Sequence, residues 1–369
     1  MKQLKVSVIV PAYNTEDYIG NMIECLLMQT YTNLQLIFID DGSTDNTAKI
    51  IKSYQDTRIE YYYQENSGVS VARNLGIQKA NGEKIFFFDS DDTFEAELIE
   101  KCLSFAEQNK VESVLYGYGN KVNGKVTNKH IFKLNGVYRK DQIVDKVMPA
   151  FLGHSFEDVN MWLRGKCGQR EGKEHTALWR IMLDSHIVKD NRLCFDPTLS
   201  LGEDTKFINT YLLFTQSIGI LNETLYYLTI RAGSANVTSN QNPVLMAQNK
   251  EKLICAREEI DLIALKHGKE THPYWQGTLV LSAVQLAIRL SHNEQSSSQK
   301  SDHILNTGGG YETFCHYMYN KSVQLAIKNF HPYLGSVKAI PFVLLKLHLS
   351  WMLYGILRVI PQKIIDKLL

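Results

Sequence analysis

The sequence predicts an α/β fold whose central sheet is mostly parallel and is flanked by helices. Over the first 120 residues, short apolar runs alternate with segments of helical periodicity. Runs that are apolar throughout are typical of strands buried on both faces, as parallel strands are. Parallel sheets of this kind bind ligands at the carboxyl ends of their strands. Polar clusters lie at those positions: PAYN after the first run, DDGSTD after the second and DSDD after the fourth.

Each element is predicted from its local pattern. The predicted strands are Leu4–Val10, Leu34–Asp40, Arg58–Tyr63, Lys84–Asp89 and Glu112–Tyr118. The helices between them, with apolar residues at helical spacing, are Glu16–Gln29, Thr44–Tyr54, Val69–Ala80 and Glu95–Gln108. The Gly-rich and charged stretch Gly153–His175 predicts a mobile loop. A second organised block, two further helices and a polar linker follow at Leu178–Tyr227, Val244–His267, Gly277–Ser291 and His292–Asp302.

Composition narrows the class of protein. The 369 residues are 44% hydrophobic and 21% charged, which suits one sizeable domain with an extension. A net charge of +1 provides no overall electrostatic attraction for nucleic acid. The six cysteines form no CxxC pair, which argues against a zinc site or a disulfide framework. The start, MKQLKVSVIVPAYN, has no cleavable signal pattern, so we expect a cytoplasmic protein.

Three acidic or basic clusters are candidates for chemistry. In DDGSTD, one Asp could close a turn or cap a helix, whereas a second adjacent Asp suits a uracil imide N–H. Arg73, in GVSVARNLG, is either a surface residue or a group facing acids and phosphate. The carboxylates of DSDD follow a buried strand and suit Mg²⁺ or Mn²⁺, whose shell substrate phosphates and water complete. No GxxxxGK[ST] or GxGxxG phosphate loop is present, so a cation would have to hold the phosphates.

Taken together and in order, these motifs resemble glycosyltransferase family 2, an inverting family with the Rossmann-like GT-A fold. The resemblance rests on KVSVIVPAYN, LQLIFIDDGSTDNT, NSGVSVARNLGIQKANGEKIFFFDSDD and LSLGEDTKF, and it covers roughly Lys5 to Ser239. It implies transfer of one sugar, a hexose or N-acetylhexosamine, from a UDP-sugar to an acceptor hydroxyl. The QxxRW sequence of processive members is absent, which favours one transfer per encounter.

The resemblance also implies a role for individual residues. Asp204 would be the general base, Glu203 an acceptor contact and Trp179 an acceptor platform, although a Trp at such a position is more often part of the core. Asp91 would be the principal ligand of Mn²⁺ or Mg²⁺, with Asp89 in the metal shell or on the ribose; Asp92 would contact the sugar or cap the helix near Glu95. The donor-binding residues would be Pro11, Ala12, Tyr13, Asp41, Arg73, Asp89, Ser90, Arg231 and Ser234.

The expected domain organisation follows the motifs. Residues 1–239 would form the GT-A catalytic domain, with a nucleotide-sugar half at 1–120 and an acceptor half at 121–239. Residues 240–369 would form a helical C-terminal extension. Within it, 340–369 is apolar with a polar stripe at Lys346, Ser350, Tyr354 and Arg358, which predicts an amphipathic helix. This helix would lie on the inner face of the cell membrane or pack on the protein; on the membrane it would suit a polyprenyl-diphosphate-linked glycan acceptor.

Two alternatives remain open at this level. A sugar-nucleotide nucleotidyltransferase would share the metal carboxylates, but it should carry a glycine-rich basic loop where this chain has PAYNTEDY. A catalytically inactive nucleotide-sugar-binding relative would lack Asp91 or Asp204, both of which are present.

Overall fold

The computed structural model describes residues 3–122, 125–199, 201–229, 242–297 and 309–360. These residues form two compact units. The first comprises Met1–Met148 and Glu174–Arg231, and the second comprises Pro149–Lys173 and Ala232–Leu369. The expected boundary after residue 239 stays a prediction, and the structure groups 149–173 with the C-terminal helices.

The first unit is built on one sheet of ten strands. Their bounds are β1 Val6–Ala12, β2 Leu34–Asp41, β3 Ile59–Gln64, β4 Lys84–Phe87, β5 Thr93–Phe94, β6 Ser113–Val122, β7 Lys125–His130, β8 Gly136–Arg139, β9 Ile181–Asp184 and β10 Ser217–Thr229. The spatial order is β3-β2-β1-β4-β9-β6-β10-β5, with β7 beside β6 and β8 beside β10. The strands β3, β2, β1 and β4 are mutually parallel, so the α/β prediction is confirmed. β9 runs antiparallel between β4 and β6, a feature that no sequence pattern indicated.

Helices of the first unit flank this sheet. Their bounds are α1 Ile19–Leu27, α2 Thr47–Ser53, α3 Val69–Lys79, α4 Leu98–Asn109, α5 Lys140–Gln142, α8 Ser185–Asp190 and α9 Glu203–Phe214, with a π-helical segment Ile143–Val147 after α5. The intervening helices are α6 Met148–Leu152, which begins at the last residue before the second unit, and α7 Phe156–Leu163, which lies within that unit. All seven residues of β1 and all eight of β2 are buried, as their apolar runs predict. α3 packs closely on β1, because a Cβ added at Gly76 would lie 2.3 Å from Ile9 Cγ2. Glycine at this position therefore fixes the distance between helix and sheet.

The second unit is helical. Its helices are α7, already given, and α10 Pro243–Lys266, α11 Gln276–Ser297, α12 Gly310–Tyr319, α13 Lys321–Asn329, α14 Ile340–Lys346 and α15 Ser350–Val359. The described part of 149–173 contains α7 where a mobile loop was predicted. Ser155 and Asp158 form a reciprocal capping box at its start, and Val159, Trp162 and Leu163 are buried. Hydrophobic packing of α7 thus outweighs the glycine and charge content on which the loop prediction rested.

The amphipathic C-terminal helix also differs from its prediction. His348 adopts φ +57°, and the chain forms two helices, α14 and α15, on either side of it. Tyr354 is only 4% exposed, so it does not belong to a solvent-facing polar stripe. Residues 361–369 lie outside the described residues. No helix within the described ranges combines the length and the apolar character needed to cross a membrane.

Candidate active site

The turns that follow β1 and β2 are tied to each other by side chains. Asn14, at φ +49°, accepts a hydrogen bond at Oδ1 from the Thr44 N–H at 2.8 Å. The Asn14 N–H donates to Ser43 Oγ at 3.1 Å. Within the second turn, Asp40 accepts from the Ser43 N–H at 2.8 Å and from the Tyr61 hydroxyl at 2.6 Å. The clusters PAYN and DDGSTD therefore meet at one edge of the sheet, as predicted for the carboxyl ends of parallel strands.

Asp41 is the second acid of this turn and is only 5% exposed. Its Oδ1 accepts from Gln64 Nε2 at 2.7 Å and from the Ser67 N–H at 2.8 Å, and its Oδ2 accepts from the Gly68 N–H at 2.9 Å. Gly68 is the residue that precedes α3. The carboxylate thus fixes the loop that leads into α3, while its predicted contact with uracil stays a prediction.

The three residues predicted to line the nucleoside pocket differ in exposure. Pro11 and Ala12 are buried at the end of β1, whereas the Tyr13 side chain is 49% exposed. Of the three, Tyr13 has the most surface with which to contact a ligand.

The DSDD turn lies beyond β4 and is fastened to β10. The Asp89 N–H donates to the Tyr226 hydroxyl at 3.1 Å, and Asp92 accepts from the Thr229 N–H at 2.8 Å. Ser90 and Asp92 are buried, at 6% and 4% exposed, while the Asp89 side chain is 38% exposed. The turn therefore buries the carboxylate of Asp92 and leaves that of Asp89 accessible to solvent.

Asp92 does not cap the following helix, because α4 begins at Leu98 with Glu97 before it. Instead, it is a buried acid that connects the turn to the end of β10. Burial raises the pKa of the Asp92 carboxyl well above its usual range, and the charges of Asp89 and Asp91 raise it further. This crowding of carboxylates is the condition that a bound cation would relieve.

Asp91 lines an open cleft of about 300 Å³. The cleft is also lined by residues of the α1 start and of the β5, β6 and β10 strands: Asp17, Tyr18, Asn21, Thr93, Lys121 and Thr229. Sequence reasoning assigned a role to none of these six residues, because no local pattern places them beside Asp91. The structure thus adds a lysine to the lining of the cleft that holds the predicted principal metal ligand.

Arg73 joins the DSDD turn to the acids that start α9. Its side chain is only 7% exposed. Nη1 donates to Asp204 Oδ1 at 2.8 Å and to Glu203 Oε1 at 3.2 Å, and Nη2 lies 3.5 Å from Asp89 Oδ1. The guanidinium also lies 5.4 Å from the centre of the Phe195 ring. Four predicted site residues, far apart in the sequence, are thereby brought into one ionic cluster.

Asp204 lies in the first turn of α9. This helix begins at Glu203, directly after Gly202, whose backbone is left-handed (φ +90°). Burial raises the pKa of the Asp204 carboxyl to about 7, although the neighbouring Arg73 lowers it. The negative charges of Glu203 and Asp89 add to the increase, and a hydrogen bond from the Leu178 N–H opposes it. A carboxylate with a pKa near neutrality has the basicity that a general base requires at physiological pH.

Trp179 lies in the aromatic core of the first unit. It is 6% exposed, its ring stacks on that of Tyr226 at 5.0 Å, and it meets the edge of Tyr118 at 4.8 Å. It belongs to a 3₁₀ turn, Leu178–Arg180. Its predicted role as an acceptor platform stays a prediction, and its packing supports the core alternative.

Arg180 is a buried residue next to this site that sequence reasoning did not single out. It is 1% exposed, and its Nη1 donates to Glu174 Oε2 and to the His175 carbonyl, both at 3.1 Å. These bonds hold the segment that leads to Leu178, whose N–H reaches Asp204. The local sequence, TALWR at 176–180, gave no signal of this arrangement.

Two predicted donor residues, Arg231 and Ser234, lie outside the described residues. Across the described ranges, no group of three or more His, Cys, Asp and Glu side chains is arranged to hold a metal ion. The predicted metal ligands Asp89 and Asp91 are both present at the DSDD turn, and their placement on a metal stays a prediction.

Comparison with known proteins shows which family and which fold this chain resembles. Residues 7–155 match the sequence profile of the family described as Glycosyl transferase family 2. The uncharacterized glycosyltransferase EpsJ of Bacillus subtilis is 29% identical over 224 residues, or 60% of each chain. The glycosyltransferase GlyA of Streptococcus pneumoniae is 30% identical over 240 residues, or 62% of this chain and 31% of the relative.

Residues 7–155 are thus similar to a family 2 glycosyltransferase domain. The match includes the PAYN, DDGSTD, ARNLG and DSDD clusters, so the resemblance inferred from those motifs is confirmed. The chain spans less than two thirds of the length of these curated relatives.

Solved structures show the same fold for the family 2 domain. TarS of S. aureus in complex with UDP-GlcNAc aligns with a TM-score of 0.53 at 23% identity, over 69% of this chain and 66% of that chain. TarS in complex with UDP aligns with a TM-score of 0.53 at 18% identity, over 96% of this chain and 90% of that chain. The GT-A fold is therefore confirmed.

Proposed function

We propose that the protein is an inverting glycosyltransferase that transfers one sugar from a UDP-sugar to a hydroxyl of a glycan acceptor. The observation that carries this proposal is the ionic cluster around Arg73. It places a carboxylate with a pKa of about 7, Asp204, on the same guanidinium as Asp89 of the DSDD turn. The proposed base and the proposed diphosphate site would thus be adjacent, as a single displacement at a sugar carbon requires.

In the proposed reaction, Asp204 accepts the proton of the acceptor hydroxyl. The oxygen forms a bond to the anomeric carbon while the bond from that carbon to the UDP oxygen breaks, so the configuration inverts and UDP leaves. Glu203, one residue before the base, would hold a second hydroxyl of the acceptor. Arg73 keeps the base oriented, because Nη1 donates to the Asp204 carboxylate.

A divalent cation fits the DSDD turn. Asp89 and Asp91 offer the hard carboxylate oxygens that Mg²⁺ and Mn²⁺ bind, and only one or two protein carboxylates are needed beside substrate phosphates. The raised pKa of Asp92 shows that negative charge is crowded at this turn. When bound, the cation would neutralise charge that develops on the diphosphate. Asp91 and Asp89 would hold it.

The nucleotide part of the donor would lie at the interlocked turns after β1 and β2, with Tyr13 and Asp41 nearest the uracil ring. The relative that supports a UDP donor is TarS, which was solved with UDP-GlcNAc and with UDP. The acceptor is expected to be a polyprenyl-diphosphate-linked oligosaccharide used in cell-surface polysaccharide synthesis, which suits an enzyme on the inner face of the cell membrane.

The proposed membrane contact is the surface of the last two described helices. Exposed apolar side chains occur there, among them Leu347 at 60%, Trp351 at 59% and Val359 at 79%. Between residues 313 and 360 the sequence contains five Lys and Arg residues and no Asp or Glu. Apolar side chains on a wholly basic segment suit an anionic lipid surface. Lipid headgroups are therefore the proposed partner of this face.

The proposal is tested by ligand binding and product analysis. Thermal stability should increase with UDP-sugars in the presence of Mn²⁺, because a ligand that binds the native state stabilises it. Replacing Asp91 with Ala should abolish the metal-dependent part of UDP binding, while Asp56→Ala, in a surface ion pair with Arg58, should not. Release of UDP on addition of acceptor supports the transferase. Consumption of UTP with a sugar phosphate would instead show a nucleotidyltransferase, and no stabilisation by any nucleotide sugar would show a relative without donor binding.

A further inference from the structure

The second unit carries two cations on one face of its longest helix. Lys250 and Arg257 both lie on α10, seven residues apart, which places them on the same side of the helix and about 10 Å apart along it. Neither is fully exposed. Buried or half-buried charges are costly unless an opposite charge compensates them.

The partners of these two cations are neutral. Lys250 Nζ donates to Ser282 Oγ at 3.0 Å and to Gln285 Oε1 at 3.2 Å, both on α11. Arg257 Nε donates to the Leu152 carbonyl at 2.8 Å. Within the described part of the chain, neither forms an ion pair with a carboxylate. The charge of Lys250 is therefore met only by neutral acceptors, whereas the negative charge of Asp261 partly compensates that of Arg257.

The acids nearby are engaged elsewhere. Asp261, one turn after Arg257, accepts hydrogen bonds from the Thr271 hydroxyl, from Trp275 Nε1 and from His272 Nδ1 when that nitrogen is protonated. Glu251 lies beside the lysine in sequence but pairs with His316 at 2.9 Å. Asp158 pairs with Lys173 at 2.7 Å.

Hydrogen bonds tie together the residues that precede and follow α7. The His154 N–H donates to Thr278 Oγ1, one turn before Ser282 on α11, at 2.7 Å. His154 Nε2 lies 2.8 Å from the Gln169 carbonyl, and this contact holds Gln169 next to His154. Two buried atoms here, His154 Nδ1 and Gln169 Nε2, have no hydrogen-bond partner. Because His154 Nε2 donates to a carbonyl and burial lowers the pKa of this histidine, Nδ1 is an acceptor, so an acceptor oxygen of a ligand would satisfy only the Gln169 amide.

Electrostatics agree with this geometry. Burial lowers the pKa of Lys250 to about 8, and the charges of Arg257 and Arg170 lower it further. Burial also lowers the pKa of Arg257 to about 10. Positive charge therefore surrounds Lys250, and an anion beside it would reverse that effect.

We propose that Lys250 and Arg257 form a binding site for a phosphate or diphosphate group in the second unit. A guanidinium and an ammonium are the groups that proteins use for phosphate, through charge-assisted hydrogen bonds. This proposal does not depend on the sugar transfer proposed above, since none of its residues belongs to the family 2 site.

The test is calorimetric titration of the full chain with sodium pyrophosphate and with inorganic phosphate, in EDTA so that the DSDD turn has no metal. The wild type should bind pyrophosphate saturably and be stabilised by it. Lys250→Gln and Arg257→Gln should each weaken binding by about 10-fold or more, since each removes a charged hydrogen-bond donor. Lys266→Gln, an exposed lysine on the same helix, should change it by less than about 2-fold.

The bound phosphate group could belong to a lipid-linked diphosphate or to a free phosphate. Titration with a water-soluble short-chain prenyl diphosphate distinguishes the two. Tighter binding of this compound than of pyrophosphate, lost in the same variants, supports a lipid-linked diphosphate; equal binding supports a free phosphate. If the Gln variants do not fold, Lys250→Arg and Arg257→Lys should retain binding because they retain the charge. The proposal is wrong if the wild type shows no saturable binding up to roughly 10 mM pyrophosphate, or if both Gln variants fold and bind like the wild type.

Discussion

At the scale of single residues, the most informative contact is the one between Arg73 and Asp204. A burial-raised pKa of about 7 leaves a large fraction of Asp204 ionised at neutral pH and still basic enough to accept a hydroxyl proton. The sequence indicated both residues through short motifs, although the two lie 131 positions apart. It could not indicate that they bond to each other, because no local pattern encodes a contact across that separation.

Replacing Asp204 with Asn should reduce turnover by about 10²–10⁴-fold, because the amide cannot accept the proton. UDP binding should remain, since the nucleotide turns are separate from α9. Steady-state kinetics and calorimetry measure the two effects. Turnover close to that of the wild type would remove Asp204 from the role of base.

The wild-type rate should rise with pH through about 7. The base works only when deprotonated, so activity is low below the pKa of Asp204 and reaches a plateau above it. Replacing Arg73 with Gln removes the positive charge that lowers this pKa, so the rise should move to higher pH. Arg58→Gln, which breaks the surface pair with Asp56, serves as the control and should leave the profile in place. A profile of Arg73→Gln that coincides with the wild type would show that this ion pair does not set the basicity.

At the scale of elements, the packing of α3 on β1 positions Arg73. Gly76 lies on the buried side of α3, where any side chain would collide with Ile9. The sequence predicted both elements from their periodicity. The short distance between α3 and β1 is possible because Gly76 has no Cβ atom. This close approach is apparent only in the tertiary structure.

Gly76→Ala should destabilise the protein by about 1–3 kcal/mol, because the added methyl group forces Ile9 or α3 to move. Gly20→Ala is a matched control in α1: its Cβ would lie 3.7 Å from the Tyr54 hydroxyl, an ordinary contact. That change should be neutral or should stabilise by about 0.5–1 kcal/mol. Thermal and urea unfolding measure both, and equal stability of the two variants would contradict the close packing.

The C-terminal segment shows the limit of periodicity at this scale. Its apolar spacing fits one helix, yet the left-handed His348 separates α14 from α15. Leu345, Leu353 and Tyr354 are then all buried. Burial of these three side chains in the second unit offsets the hydrogen bonds that a continuous helix would have kept.

At the scale of the whole molecule, the basic and apolar surface of α14 and α15 is the proposed contact with lipid. Truncation would remove buried residues of the second unit, so point changes at exposed positions are the better test. Leu347→Ser combined with Trp351→Ser should reduce flotation with anionic liposomes several-fold, as about 2–4 kcal/mol of apolar burial is lost. Leu262→Ser with Leu265→Ser, which are 60% and 61% exposed on α10, is the matched control and should float like the wild type. Equal flotation of both double variants would exclude this surface as the contact.

The sequence by itself determined the α/β class, the order of the parallel strands along the chain and the identity of most candidate site residues. It could do so because these features depend on local periodicity, turn chemistry and short motifs. Only the tertiary structure decided the antiparallel insertion of β9, the helix α7 within 149–173, the ion pairs of Arg73 and the unpaired cations on α10. Each of these depends on burial and on contacts between residues far apart in the chain, where packing free energy outweighs local preference.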